Sequence, residues 1–330
     1  MKSMPIDPFS RVVGFLARPI FSLIATAVIT GCATVKPEPF TKYRTAVQEA
    51  QTGIDSVMSV NYNWTRSGFI EEFSTNPESK FSKIVIQPGA RFDWKLADRP
   101  VYLDVKQTRD ALDQVNEAFA KYADLLVQLS GGDLVSTAKF DQLTKDLNKN
   151  ATDALKSLKI TPSSQGVALF STAACEAARL YIENKRQGYL RDAIKKNQGN
   201  VQDYCDLCIS LLHTIRGNIK AYYGDRITPL ENAWQSVSPK APSAGQPALT
   251  PEQVAKRQKA TQDLLALNEQ FTDAMSVLQE LEKTYKALPK AHADLTKAIE
   301  NPKADLEGIQ QLYSSAKRLQ SLYTQVQKSQ

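Results

Sequence analysis

The sequence predicts an all-α chain: an elongated antiparallel helical bundle interrupted by one small β insertion. Three observations carry that reading. Apolar residues recur at spacings of three and four through most of the chain, the period of one helix face. Several of these runs open on a capping side chain. Residues that disrupt helix interiors are sparse, with 14 Gly and 16 Pro among 330 positions, which leaves room for long uninterrupted helices.

The first stripe is Phe40, Tyr43, Val47, Ile54, Val57, Asn61 and Trp64. Residues 80–103 then break the pattern. Phe92, Trp94 and Leu96 alternate with Arg91, Asp93 and Lys95, and Lys83-Ile84-Val85-Ile86 precedes the turn dipeptide Pro88-Gly89. A two- or three-stranded insertion is expected there. Its Phe92, Trp94 and Leu96 face either packs on the bundle or offers a contact surface to a partner or membrane. A second helix is expected from Asp104, where Asp104 and Gln107 have capping-box spacing. Its stripe runs Val105, Leu112, Val115, Phe119, Tyr122, Leu126, Leu129 and stops at Gly131-Gly132.

Thr161-Pro162, Thr228-Pro229, Thr250-Pro251 and Asn301-Pro302 each place a capping side chain before a proline suited to the first helical position. Asn200, after Gly199, reads as a further cap, which makes residues 163–197 and 200–223 a helical hairpin. Residues 237–250 contain three prolines and few apolar side chains, the composition of a linker. Beyond it, Val254, Leu264, Phe271, Met275, Leu278 and Tyr285 form a stripe with Asn268 inside it. Leu306, Ile309, Leu312, Tyr313, Ala316, Leu319, Tyr323 and Val326 form the last. The expected organisation is a bundle over 40–236 and a C-terminal hairpin over 251–330 broken near Pro289. That hairpin either stands apart or folds back onto the same core, and the sequence does not choose.

Composition narrows the function classes. The net charge is +6, from 41 basic against 35 acidic residues, too even for a nucleic-acid footprint. Two histidines and four cysteines leave little for a multi-histidine metal centre or a Ser-His-Asp relay. Ser136-Thr137-Ala138-Lys139 and Ser314-Ser315-Ala316-Lys317 match S-x-x-K but lack the accompanying S-x-N and K-T-G elements. No catalytic residue, cofactor or metal is expected. The basic segment holding Arg179, Lys185, Arg186, Arg191, Lys195 and Lys196 reads as a solvated face with interspersed acids.

The amino terminus is more specific. Lys2, Arg11 and Arg18 precede an apolar run from Ile20 to Ile29, about half the ~20 residues that a spanning helix needs. The run ends in Ile29-Thr30-Gly31-Cys32. This resembles the lipobox of bacterial lipoproteins. The resemblance implies a signal peptide over 1–31, cleavage before Cys32, and acylation of the Cys32 thiol and then of the new amino group. Ala33 does not match the Asp that retains such proteins in the inner membrane. An outer-membrane anchor facing the periplasm is therefore expected, or the cell surface in a bacterium without an outer membrane. Residues 32–39 form the tether, whose span is at most about 25 Å. Without the first 32 residues, 38 basic residues face 34 acidic ones.

Cys205-Asp206-Leu207-Cys208 is a C-x-x-C lying on the stripe Val201, Cys205, Cys208, Leu212, Ile215, Ile219, which favours core cysteines over a zinc or redox site. If an exported chain oxidises them, Cys205–Cys208 is the more feasible disulfide. In the expected hairpin Cys175 lies roughly 20–25 Å along the axis from Cys205, beyond the ~7 Å between Cα atoms that a bridge tolerates. The leading functional expectation is a membrane-anchored, non-enzymatic scaffold or binding subunit with a protein partner in the cell envelope and no nucleic acid. Two other classes remain: a membrane-active protein of pore-forming layout, and a cell-wall enzyme built on paired carboxylates. Lys80, Lys83, Arg91, Asp93, Lys95, Asp98 and Arg99 weigh against the first, because charge enters hydrocarbon at high cost.

Overall fold

The computed structural model describes residues 35–77, 101–131, 187–237, 249–301 and 303–328. Of these residues 93% are helical, and no strand occurs among them. Five helices follow in order: α1 (Glu38–Thr75), α2 (Val101–Gly131), α3 (Gln187–Ser236), α4 (Pro251–Glu300) and α5 (Glu307–Lys328). Residues 80–100 of the β insertion expected over 80–103 lie outside the described residues, and its last three positions, 101–103, are helical. α2 opens at Val101, directly after Pro100. Asp104 is therefore an acidic residue of the first turn rather than a cap, placed to complement the helix dipole.

α1 touches all four other helices. Arg44 pairs with Asp124 and Arg109 with Asp55, so α1 and α2 run antiparallel. Lys195 meets Glu300 while Arg216 meets Glu282, so α3 and α4 do the same. Lys290–Glu307 and Arg318–Glu280 set α5 antiparallel to α4. The starts of α1, α3 and α5 and the ends of α2 and α4 thus share one end of the bundle. The α3–α4 pair continues furthest the other way; at 1.5 Å per residue, the 50 residues of α4 span about 75 Å.

The stripes read from sequence in α1 and α2 are buried throughout, from Phe40 to Trp64 and from Val105 to Leu129. In α4 the expected stripe is fully buried only at Leu278 and Tyr285. A second buried line runs along most of the helix, Ala260, Leu267, Ala274, Leu281, Leu288 and Leu295, one residue every seven. Val254 is exposed, Phe271 and Met275 are half-buried, and Asn268 sits outside the seam, accepting a hydrogen bond from the Tyr223 hydroxyl at 3.0 Å. Buried apolar residues of all five helices form one continuous cluster.

Three boundaries expected from local signals are absent, and a fourth, at Asn301, serves the other helix. α3 passes through Gly199-Asn200, where Asn200 Nδ2 donates to Asn197 Oδ1 at 3.1 Å, so the turn expected near Gly199 does not exist. α3 also passes through Thr228-Pro229, in an exposed stretch where water can satisfy the carbonyl that proline leaves without a donor. α4 continues through Pro289, which is buried against the core, so the last hairpin turns at 301–306 instead. Asn301 ends α4 rather than starting α5, and its Oδ1 accepts from the Lys303 amide at 3.0 Å. Thr250 does cap α4, in a complete capping box with Gln253.

That final turn has a non-local lock. Asp294, only 1% exposed, accepts from the Gly308 amide at 2.8 Å and from Lys297 Nζ at 2.6 Å. Its carboxylate reaches from α4 to the start of α5, where unpaired amides and the helix dipole favour negative charge. A Cβ on Gly308 would lie 2.7 Å from Asp294 Oδ2 and 3.1 Å from the Ala291 backbone nitrogen, so only glycine allows this approach.

Candidate functional site

Cys32 and the Phe92, Trp94 and Leu96 face lie outside the described residues, as do Cys175 and Ser136–Lys139. Cys205 and Cys208 are described, and both are fully buried free thiols. Both face the core, from positions three residues apart on α3. Burial raises both thiols, Cys208 to about 12 and Cys205 well above the ordinary range. They are thus protonated at neutral pH, which leaves neither as a thiolate nucleophile.

Around them lies a group of buried aromatic and polar side chains that the separate stripes did not reveal. Phe119 and Tyr204 rings lie 4.3 Å apart, and Tyr204 donates to Asn116 Oδ1 at 2.6 Å. His292 is fully buried, with Nε2 2.8 Å from the Tyr122 hydroxyl and Nδ1 2.9 Å from Gln198 Oε1. Gln198 Nε2 in turn donates to the Pro289 carbonyl at 2.9 Å. Since Oε1 can only accept, Nδ1 carries the ring proton and Nε2 accepts from Tyr122. The bonds run in one direction from α2 through α4 to α3 and back to α4. Burial drives the His292 pKa down to about 3, so the ring stays neutral and serves packing rather than proton transfer at physiological pH.

Among the described residues, Asp113 and Asp55 approach the carboxylate pairing that an enzyme reading requires. Burial first, and then the nearby Asp55, raise the Asp113 carboxyl. Asp55 itself is held by Arg109, with Nη2 at 2.7 Å and Nε at 2.9 Å. The arrangement joins α1 to α2 and borders neither groove described below. Ser314 is exposed, and Lys317 lies over the Tyr313 ring at 4.7 Å, so the second S-x-x-K is a solvent-facing turn. Among the described residues, no group of three or more His, Cys, Asp or Glu could hold a metal ion, and no helix is long and apolar enough to cross a membrane.

Among the described residues, grooves flank the α3–α4 pair on at least two sides. The smaller, of about 390 Å³, lies where α1 ends against Arg226, Leu230 and Leu267. The larger, of about 740 Å³, lies between α3 and α4. Phe271 and Met275 form its floor, with Phe271 stacked on Tyr223 at 4.1 Å between ring centres. Arg216, Lys220, Lys283 and Lys286 form its rim. Glu282 receives Lys286 at 2.6 Å and Arg216 at 2.8 Å, with His213 at 3.7 Å, and Lys286 and Arg216 pull its carboxyl down to about 2. Glu280 is shared by Lys283 at 3.1 Å and Arg318 at 3.5 Å. Sequence reading missed this site because its floor residues had been assigned to the core; the four lysine and arginine positions converge only once α3 and α4 pair.

No family model, curated protein or solved structure matches the chain.

Proposed function

We propose that this chain is a lipid-anchored, non-enzymatic scaffold or binding subunit facing the periplasm from the outer membrane, with a protein partner in the cell envelope. The observation that carries the reading is Ile29-Thr30-Gly31-Cys32 at the end of a short apolar run, six residues before α1 begins. Acyl chains on Cys32 would bury enough methylenes for stable anchoring at about 0.8 kcal/mol each. The short tether then keeps the α1 end of the bundle near the bilayer. The α3–α4 pair, running tens of ångströms the other way, suits a role in contact rather than conversion.

Palmitate incorporation and fractionation test the reading together. Wild-type protein should incorporate labelled palmitate and sediment with outer membranes, and Cys32→Ser should do neither. A stable partner should accompany the acylated protein through affinity purification. Label retained by Cys32→Ser, or recovery as a clean monomer from several growth states, would contradict it.

A further inference from the structure

The groove between α3 and α4 has a definite shape and charge. From Phe271 to Lys286 it follows α4 for about 22 Å, the length of a four-turn helix. Its floor is apolar and braced: Phe271 is stacked on Tyr223, so it does not need to be ordered when a ligand arrives. Its surroundings carry an excess of positive charge. Arg216, Lys220, Lys283 and Lys286 line it, against one lining carboxylate, Glu282. Glu282 is already shared between Arg216 and Lys286, and Lys220 is exposed at the rim.

We propose that this groove docks an acidic amphipathic helix from a partner protein, its carboxylates against Lys220, Lys283 and Lys286 and an apolar side chain against Phe271 and Met275. The inference deepens the scaffold reading and rests on it for the existence of a partner. An apolar strip flanked by charge is the complement of one amphipathic helix, which presents both along a single face. A bilayer offers anionic charge as well, but over a flat surface that meets a concave groove poorly. The groove also starts about 21 Å up α4 from Glu300, at the end of the bundle where the tether begins. Charge complementarity of this kind sets partner choice and association rate, and salt weakens it.

The test uses full-length acylated protein in detergent and a fluorescent 15-residue helix of Glu and Leu with its leucines on one face. Anisotropy should show binding that weakens as salt rises. Lys220→Glu with Lys283→Glu should reduce that affinity at least tenfold and create binding for the matching Lys/Leu peptide. Lys256→Glu, near the start of α4 and away from the groove, should leave it unchanged. Phosphatidylglycerol vesicles serve as the competing anionic surface. The proposal is overturned by absence of binding at millimolar peptide, by equal losses in the Lys256 variant, or by a double variant that loses vesicle binding while keeping the peptide. Unacylated Cys32 with intact peptide binding would refute the anchor alone, so the two failures are distinguishable.

Discussion

Replacing His292 by Gln should change how the stability of this protein depends on pH. In the folded chain the ring is neutral, donating through Nδ1 to Gln198 and accepting at Nε2 from Tyr122. Protonation would add a second donor where Tyr122 needs an acceptor and would place a charge in a fully buried site. The folded pKa therefore falls from 6.5 to about 3. Since the unfolded chain takes up its proton first, stability is lost as pH falls from about 6.5 toward 3, and none is lost on this account above 6.5. At about 1.4 kcal/mol per unit, the site should contribute roughly 3 kcal/mol of destabilisation by pH 4.5. His292→Gln removes that dependence but leaves hydrogen-bonding groups imperfectly paired, costing about 1–3 kcal/mol at pH 7.5. Urea unfolding followed by circular dichroism at both pH values measures the two effects. The loss between pH 7.5 and 4.5 should be smaller in the variant by roughly 3 kcal/mol. Equal losses in both proteins, or an NMR titration assigned to the His292 imidazole and centred near 6.5, would refute the reasoning.

Other substitutions test separate parts of the structure. Asp294→Ala leaves the Gly308 amide at the start of α5 without its acceptor and should destabilise by about 2–4 kcal/mol in urea; Asp294→Asn, which keeps an oxygen, should lose less. Gly224→Ala lies in an exposed part of α3 with open space around its Cβ position, so it should stabilise by about 0.5–1 kcal/mol, read as slower amide exchange nearby. Cys205 and Cys208 should resist a thiol reagent at pH 8 in the native protein and react in urea, because burial keeps both protonated. Fast native labelling of the pair, assigned by peptide mapping, would contradict their placement.

Helical periodicity was legible where a helix buries one face along its whole length. Phe40 to Trp64 and Val105 to Leu129 behave that way, since α1 and α2 are covered throughout. Local stop and start signals were less informative in α3 and α4. Thr228-Pro229 has the chemistry of a helix start, yet a preceding helix can run through it when the carbonyl that loses its donor faces water. At Pro289 burial of the ring against the core outweighs the missing amide, and Gln198 binds the Pro289 carbonyl from α3. In the first half of α4 only part of the apolar pattern meets a neighbour. Phe271 and Met275 therefore looked like seam residues but line a groove. Asp294 and Gly308 are 14 residues apart across a turn, so neither sequence position announces that one caps the other.

The anchor is tested most directly by the mass of the processed amino terminus, taken from protein purified out of membranes. The account predicts a first residue of Cys32 carrying a thioether-linked diacylglyceryl group, with a further acyl chain on its amino group. A terminus that still begins at Met1, or a Cys32 whose sulfur is a free thiol, would contradict it.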